Sequence, residues 1–182
     1  MTHYGGRELA ASFRQVRGNT MQIAEEIPDD KYSFTAVPEC RSIGQILVHV
    51  AFAPRIQQHI HGNGIRDLKD VNFSALHGGL VAEEQAPRSK PDILALLRSE
   101  GEATASYLEG LTDAFLAEPV VMPPGAEPRT KTRFEMLLAP KEHEMHHRGQ
   151  LMLLQRMIGL TPHLTRLMQE RMARRAAAPQ AT

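Results

Sequence analysis

The stretch His143-Glu144-Met145-His146-His147-Arg148-Gly149-Gln150-Leu151 admits two readings, and they lead to different folds. As H-E-x-x-H it matches a zinc metalloprotease pattern, with Glu144 as general base. That chemistry needs an edge strand to align a peptide and a third ligand downstream, for which Glu170 is the candidate. As one turn of a long helix, the same residues place His143 and His147 four apart on one face, their Cβ atoms about 5–6 Å from each other. Two imidazoles so placed can share a metal ion with a ligand from a neighbouring helix. No segment alternates as a strand should, and Glu170 falls in a short, basic, peripheral helix. The helical reading is therefore preferred, and it predicts a bundle.

Working outward from that turn, the other apolar stripes agree. Phe134, Leu137 and Leu138 lead into the cluster, and Leu151, Leu154 and Ile158 continue beyond it to Gly159, a suitable helix stop. The start falls near Thr130 or Thr132, with a kink or true start at Pro140. Leu9, Phe13, Val16, Thr20, Ile23 and Ile27 form a first helix closed by Pro28. Ser42-Ile43-Gly44-Gln45 is a capping box that opens a second, carried by Ile43, Ile46, Leu47, Val50, Ile56 and Ile60, with a bend at Pro54. Ser89-Lys90-Pro91-Asp92 opens a third, with Leu94, Leu97, Gly101, Thr104, Leu108, Leu111 and Phe115 running toward Pro119. From Gly62 to Lys90 no period is sustained, so a long crossover loop is expected there, with Phe73, Leu76 and Leu80 able to anchor it over an opening. A short basic helix follows from His163 to about Arg175. The fold predicted is all-α: a four-helix bundle with a crossover loop between its second and third helices and a short C-terminal helix. Residues 1–175 form one domain, and 176–182 a disordered tail.

Composition narrows the function. Lys plus Arg and Asp plus Glu number 21 each, so no global field steers nucleic acid or an anionic membrane toward the chain. No apolar run approaches the roughly 18 residues of a membrane helix. Met1 to Gly6 lacks the basic and apolar regions of a secretory leader, and Cys40 is the single cysteine. Together these predict a reducing cytoplasm.

Of the nine histidines, His49 is the candidate third ligand. It sits three residues after Ile46 and seven before Ile56, within the apolar stripe of the second helix. A buried imidazole needs a partner, and a metal shared with His143 and His147 supplies one. Three histidines leave a coordination position open, as catalytic sites do. The competing reading for each is a packed, hydrogen-bonded core histidine. His59 and His61, beside the glycines at 62 and 64, are expected at the surface. His146 lies about 100° around the helix from His147, off the site. Gly149 in a helix interior suggests a close helix approach, and Arg148 and Gln150 can orient the ligands.

Two blocks resemble the DinB/YfiT-like family of proposed metalloenzymes. One is Ile27-Pro28-Asp29-Asp30-Lys31-Tyr32 leading to Arg41-Ser42-Ile43-Gly44-Gln45-Ile46-Leu47-Val48-His49-Val50-Ala51. The other is the H-x-x-x-H-R-G-Q-L run from His143 to Leu151, followed by Arg156-Met157-Ile158-Gly159-Leu160 and Pro162. The resemblance implies a four-helix bundle holding a divalent ion, zinc or nickel, on His49, His143 and His147, and a homodimer. It also implies chemistry with a low-molecular-weight thiol and a small-molecule electrophile, since relatives include thiol S-transferases and a mycothiol-dependent isomerase. The enzyme reading is a transferase or hydrolase in which the metal activates a thiol or water. Its alternatives are a non-catalytic metal-binding stress-response module and a plain helical oligomerisation domain.

Overall fold

A computed structural model describes residues 4–177 of the 182-residue chain. Helix α1 spans Gly6–Glu26 and ends where Ile27 turns extended ahead of Pro28. A 3-10 turn over Asp29–Lys31 leads to α2, Ile43–Phe52. There the Ser42 hydroxyl accepts from the Gln45 amide while Gln45 Oε1 accepts from the Ser42 amide, closing the predicted capping box. Pro54 does more than bend this helix. It breaks it at Ala53 and becomes the first residue of α3, Pro54–Gly62.

The long connection to the third bundle helix is present, but it is not structureless. It holds α4, Phe73–Gln85, capped by the Asn72 side chain on the Ala75 amide. Helix α5 covers Lys90–Glu109 and stops at Gly110, so Leu111 and Phe115 lie beyond it. A four-residue α6, Asp113–Leu116, precedes an antiparallel hairpin of β1, Pro119–Val121, and β2, Thr130–Thr132, with Val120 opposite Lys131. The hairpin corrects the strand-free expectation, although three residues per strand are too few to show an alternating pattern. Thr132 caps α7, Arg133–Leu137. Pro140 sits at the start of α8, Ala139–Met157, which Gly159 terminates with φ of 84°. Helix α9, His163–Ala177, runs past Arg175 into the expected tail; residues 178–182 lie outside the described residues.

The bundle consists of α1, α2, α5 and α8. Helix α1 packs on α5 and α8, α2 packs on α5 and α8, and α4 lies against α2. Its apolar interior falls into two blocks. One gathers Ile23, Ile43, Leu47, Leu97 and Leu151; the other gathers Leu9, Phe13, Ala105, Leu108 and Leu137. On α1 the charged residue buried between them is Arg17, and it is 5% exposed. Its guanidinium donates to both oxygens of Glu144, at 2.9 and 3.0 Å, and to the carbonyls of Leu97 and Val50. Gly101 leaves the room this requires, because a Cβ there would meet Arg17 Cγ and Nη1 at 2.9 Å. Gly149 has no such role. Nothing lies within 4 Å of the Cβ it lacks, so the expected close helix approach at that point is corrected.

Among the described residues, no helix is long and apolar enough to cross a membrane.

Candidate metal centre

Breaking the second helix at Pro54 leaves His49 near the end of α2, facing α8. Helix α8 carries His143 and His147 one turn apart. Their ring nitrogens converge: His49 Nε2 lies 3.0 Å from His143 Nε2, and His143 Nε2 lies 3.2 Å from His147 Nε2. One ligand atom from each of the three falls within 4.8 Å of the others. Nitrogens at 2.0–2.1 Å from one tetrahedral zinc ion sit about 3.3 Å apart, close to the two separations that His143 makes with His49 and His147.

Partners on the far side fix the tautomers of His49 and His147, whereas His143 Nδ1 is buried without a hydrogen-bond partner among the described residues. His49 Nδ1 lies 2.5 Å from Glu84 Oε1. A carboxylate only accepts, so Nδ1 carries the hydrogen and the Nε2 lone pair turns inward. His147 Nδ1 likewise meets Gln150 Oε1 at 2.7 Å, while Gln150 Nε2 lies 3.1 Å from His146 Nε2. Two lone pairs therefore point at the same nitrogen of His143. One proton there can serve them only in part, whereas a cation between the three satisfies all of them. Burial, then the charges of His147 and His49, push His143 down to about 4, and burial lowers His147 despite its bond to Gln150. Both rings are thus neutral near pH 7, the form that ligates metal. The donor set fits a divalent ion.

Glu84 escaped the sequence reading. It comes from α4 and its side chain is 5% exposed. Arg41 Nε donates to its other oxygen at 2.6 Å. Burial pushes this carboxyl up, but the bonds from Arg41 and His49 outweigh burial and hold it below the ordinary range. A capping Asn72 and the spacing of Phe73, Leu76 and Leu80 were the available signals. They were masked by Gly78-Gly79 and by a polar inward face.

The remaining candidates separate cleanly. Gln150 orients His147, as its place in the motif suggests. Arg148 is half-buried, and no hydrogen bond from it to the three histidines is found among the described residues. His146 is exposed and off the site. Glu144 is neither a base nor a surface group but a buried ion-pair partner of Arg17. Glu170 is exposed and paired with Arg174. The protease reading therefore lacks both its base and its third ligand. His59 is exposed as expected, but His61 is not. It is 2% exposed, between Arg133 Nη1 and Gln57 Oε1.

A cleft of about 190 Å³ opens onto His49 and His143. Ala53, Ile56, Leu80, Ala139 and Pro140 give it apolar walls, and Gln57 and His77 add polar groups.

Three converging histidines, built across two helices of a four-helix bundle and open to a cleft, define a helical protein with a candidate metal site. The chain belongs to the DinB superfamily, whose family model matches residues 12–151 and so spans all three histidines. It is 26% identical over 154 residues to the Bacillus subtilis protein YjoA, covering 85% of this chain and 91% of that one. The crystal structure of YjoA superposes with a TM-score of 0.63 at 22% identity, over 85% of this chain and 94% of that chain. A DinB-like protein from Bacillus cereus gives 0.64 at 20% identity, over 85% and 93%. YfiT from Bacillus subtilis, described as a probable metal-dependent hydrolase with an unusual four-helix bundle topology, gives 0.66 at 17% identity, over 88% and 91%. At these identities the structural matches establish the bundle and its topology.

Proposed function

We propose that this protein is a divalent-metal-dependent enzyme that activates a small protic nucleophile, water or a low-molecular-weight thiol, for attack on a small electrophile. The observation that carries the reading is the convergence of three imidazole Nε2 atoms beside a cleft that reaches two of them. A divalent ion held there, zinc or nickel, would act as a Lewis acid and lower the pKa of a coordinating water or thiol.

The chain's own residues do the rest. Glu84 and Gln150 hold the His49 and His147 rings with their Nε2 atoms toward the ion position. The cleft is smaller than the roughly 300 Å³ at which drug-sized ligand sites begin, so it selects a compact substrate. Its apolar walls exclude bulk water from one side of the nucleophile, which strengthens electrostatic interactions there. The description of YfiT as a hydrolase favours water; the resemblance to thiol S-transferases favours a thiol.

The cobalt(II)-loaded protein distinguishes the two. Adding a small thiol such as 2-mercaptoethanol is expected to produce an ultraviolet sulfur-to-cobalt charge-transfer band if a coordination position is open to thiols. An unchanged thiol spectrum with hydrolysis of small activated esters selects water. A cobalt spectrum indifferent to every small ligand would mean a closed, structural site and would contradict the enzyme reading.

A further inference from the structure

Helix α4 brings a second functional group to the cleft. His77 lies seven residues before Glu84, about 20° away around a helix of 3.6 residues per turn, with Leu80 between them on the same face. Glu84 holds His49 from behind, and Leu80 and His77 line the cleft in front of it. The cleft-facing side of α4 thus combines two polar groups, the buried Glu84 and the solvent-exposed His77 at the cleft, with Leu80, which also packs on the core.

The tautomer of neutral His77 is set by its own helix. Its Nδ1 lies 2.8 Å from the Phe73 carbonyl oxygen. A carbonyl only accepts, so Nδ1 carries the hydrogen and the lone pair of the neutral ring is on Nε2. No hydrogen bond to His77 Nε2 is found among the described residues. The cleft thus has one basic nitrogen that is neither committed to the histidine triad nor occupied by another side chain. Its volume corresponds to about six waters at the ~30 Å³ each takes in the liquid, so a small molecule filling it lies near both His77 and the triad.

We propose that His77 is the general base of the reaction, taking the proton of the small protic molecule that enters the cleft. This rests on the metal-site reading above. In a hydrolysis, Nε2 accepts the water proton as the new oxygen–carbon bond forms. It returns that proton to the leaving group as the carbon–leaving-group bond breaks. With a thiol, the S–H proton follows the same route as the new sulfur–carbon bond replaces the leaving-group bond. No oxidant or reductant is needed, and the ring ends in its starting state.

The test uses acetohydroxamic acid, a compact acid that binds an open metal site as its anion and must lose a proton to do so. Calorimetry on the zinc-loaded protein, repeated in buffers of different ionisation enthalpy, counts the protons released to solvent. The wild type is expected to keep that proton on His77 and release almost none. His77→Gln should bind the same amount of zinc by elemental analysis and release about one proton. It should also bind the probe about tenfold more weakly, the worth of one hydrogen bond to a charged group. Equal proton release by the two proteins, or a zinc-loaded wild type that fails to bind the probe, overturns the assignment of His77 and leaves the metal site standing. Absence of zinc from the wild type overturns the metal-site reading itself, and His77 with it. Loss of zinc from His77→Gln alone would make His77 a ligand rather than a base and would equally overturn the proposal.

Discussion

Glu84 shows how much of the centre depends on groups that never reach the ligand position. It accepts from His49 Nδ1 and from Arg41, and it is nearly inaccessible to solvent. Replacing such a carboxylate partner typically costs 10–100-fold in metal affinity. Glu84→Gln, which keeps the shape and loses the charge, is expected to weaken zinc binding by about that factor in a competition titration with a chelating dye. Unchanged affinity would remove Glu84 from the centre. The Arg17–Glu144 pair is a different kind of buried polar group, since it links the two apolar blocks. Glu144→Ala would strand a buried guanidinium and should cost about 3–5 kcal/mol in urea unfolding. His61 gives the chain a titratable contribution to stability. Burial and the Arg133 charge hold it down to about 4, against about 6.5 in an unfolded chain. Between those values the unfolded state binds the extra proton, so the contribution is complete above about pH 6.5 and is lost as pH falls toward 4. His61→Gln should flatten the stability profile across that window relative to wild type. Both proteins would be measured in chelator, where His143 and His147 contribute equally to each.

At the scale of elements, α4 is the piece on which the site and the sequence reading diverge. Gly78 and Gly79 lie in its interior, and nothing approaches the position of an added Cβ at either. Alanine there should therefore stabilise the helix, by roughly 1 kcal/mol per site at most. Amide hydrogen exchange across residues 73–85 should slow in Gly78→Ala and Gly79→Ala, and faster exchange would show that the helix needs those glycines. The other helices were legible because their chemistry is local. The Ser42 and Ser89 caps, the Pro28 stop and the Gly159 stop each act within one turn. Helix α4 was not, because its side toward the cleft carries the polar residues His77 and Glu84, placed by groups distant in the chain. His61 was misplaced for a related reason. Beside a glycine turn it looks exposed, and only the arrival of Arg133 from beyond the hairpin buries it.

For the whole molecule, the three candidate ligands were legible as residues but their geometry was not. The spacing of His143 and His147 and the apolar setting of His49 identified them as candidates, whereas the tautomers that aim the His49 and His147 lone pairs inward depend on Glu84 and Gln150. Because the unfolded chain cannot assemble His49 with the α8 pair, zinc should bind the folded state selectively. At a hundredfold excess over its dissociation constant it is expected to add about 2.7 kcal/mol to stability, seen as a rise in melting temperature that EDTA reverses. The most direct test of the central claim is the metal content of wild type and His49→Ala after dialysis against the same limiting zinc. A three-histidine site predicts about one ion per chain in the wild type and almost none in the variant. Equal zinc in the two proteins, or none in the wild type, would contradict it.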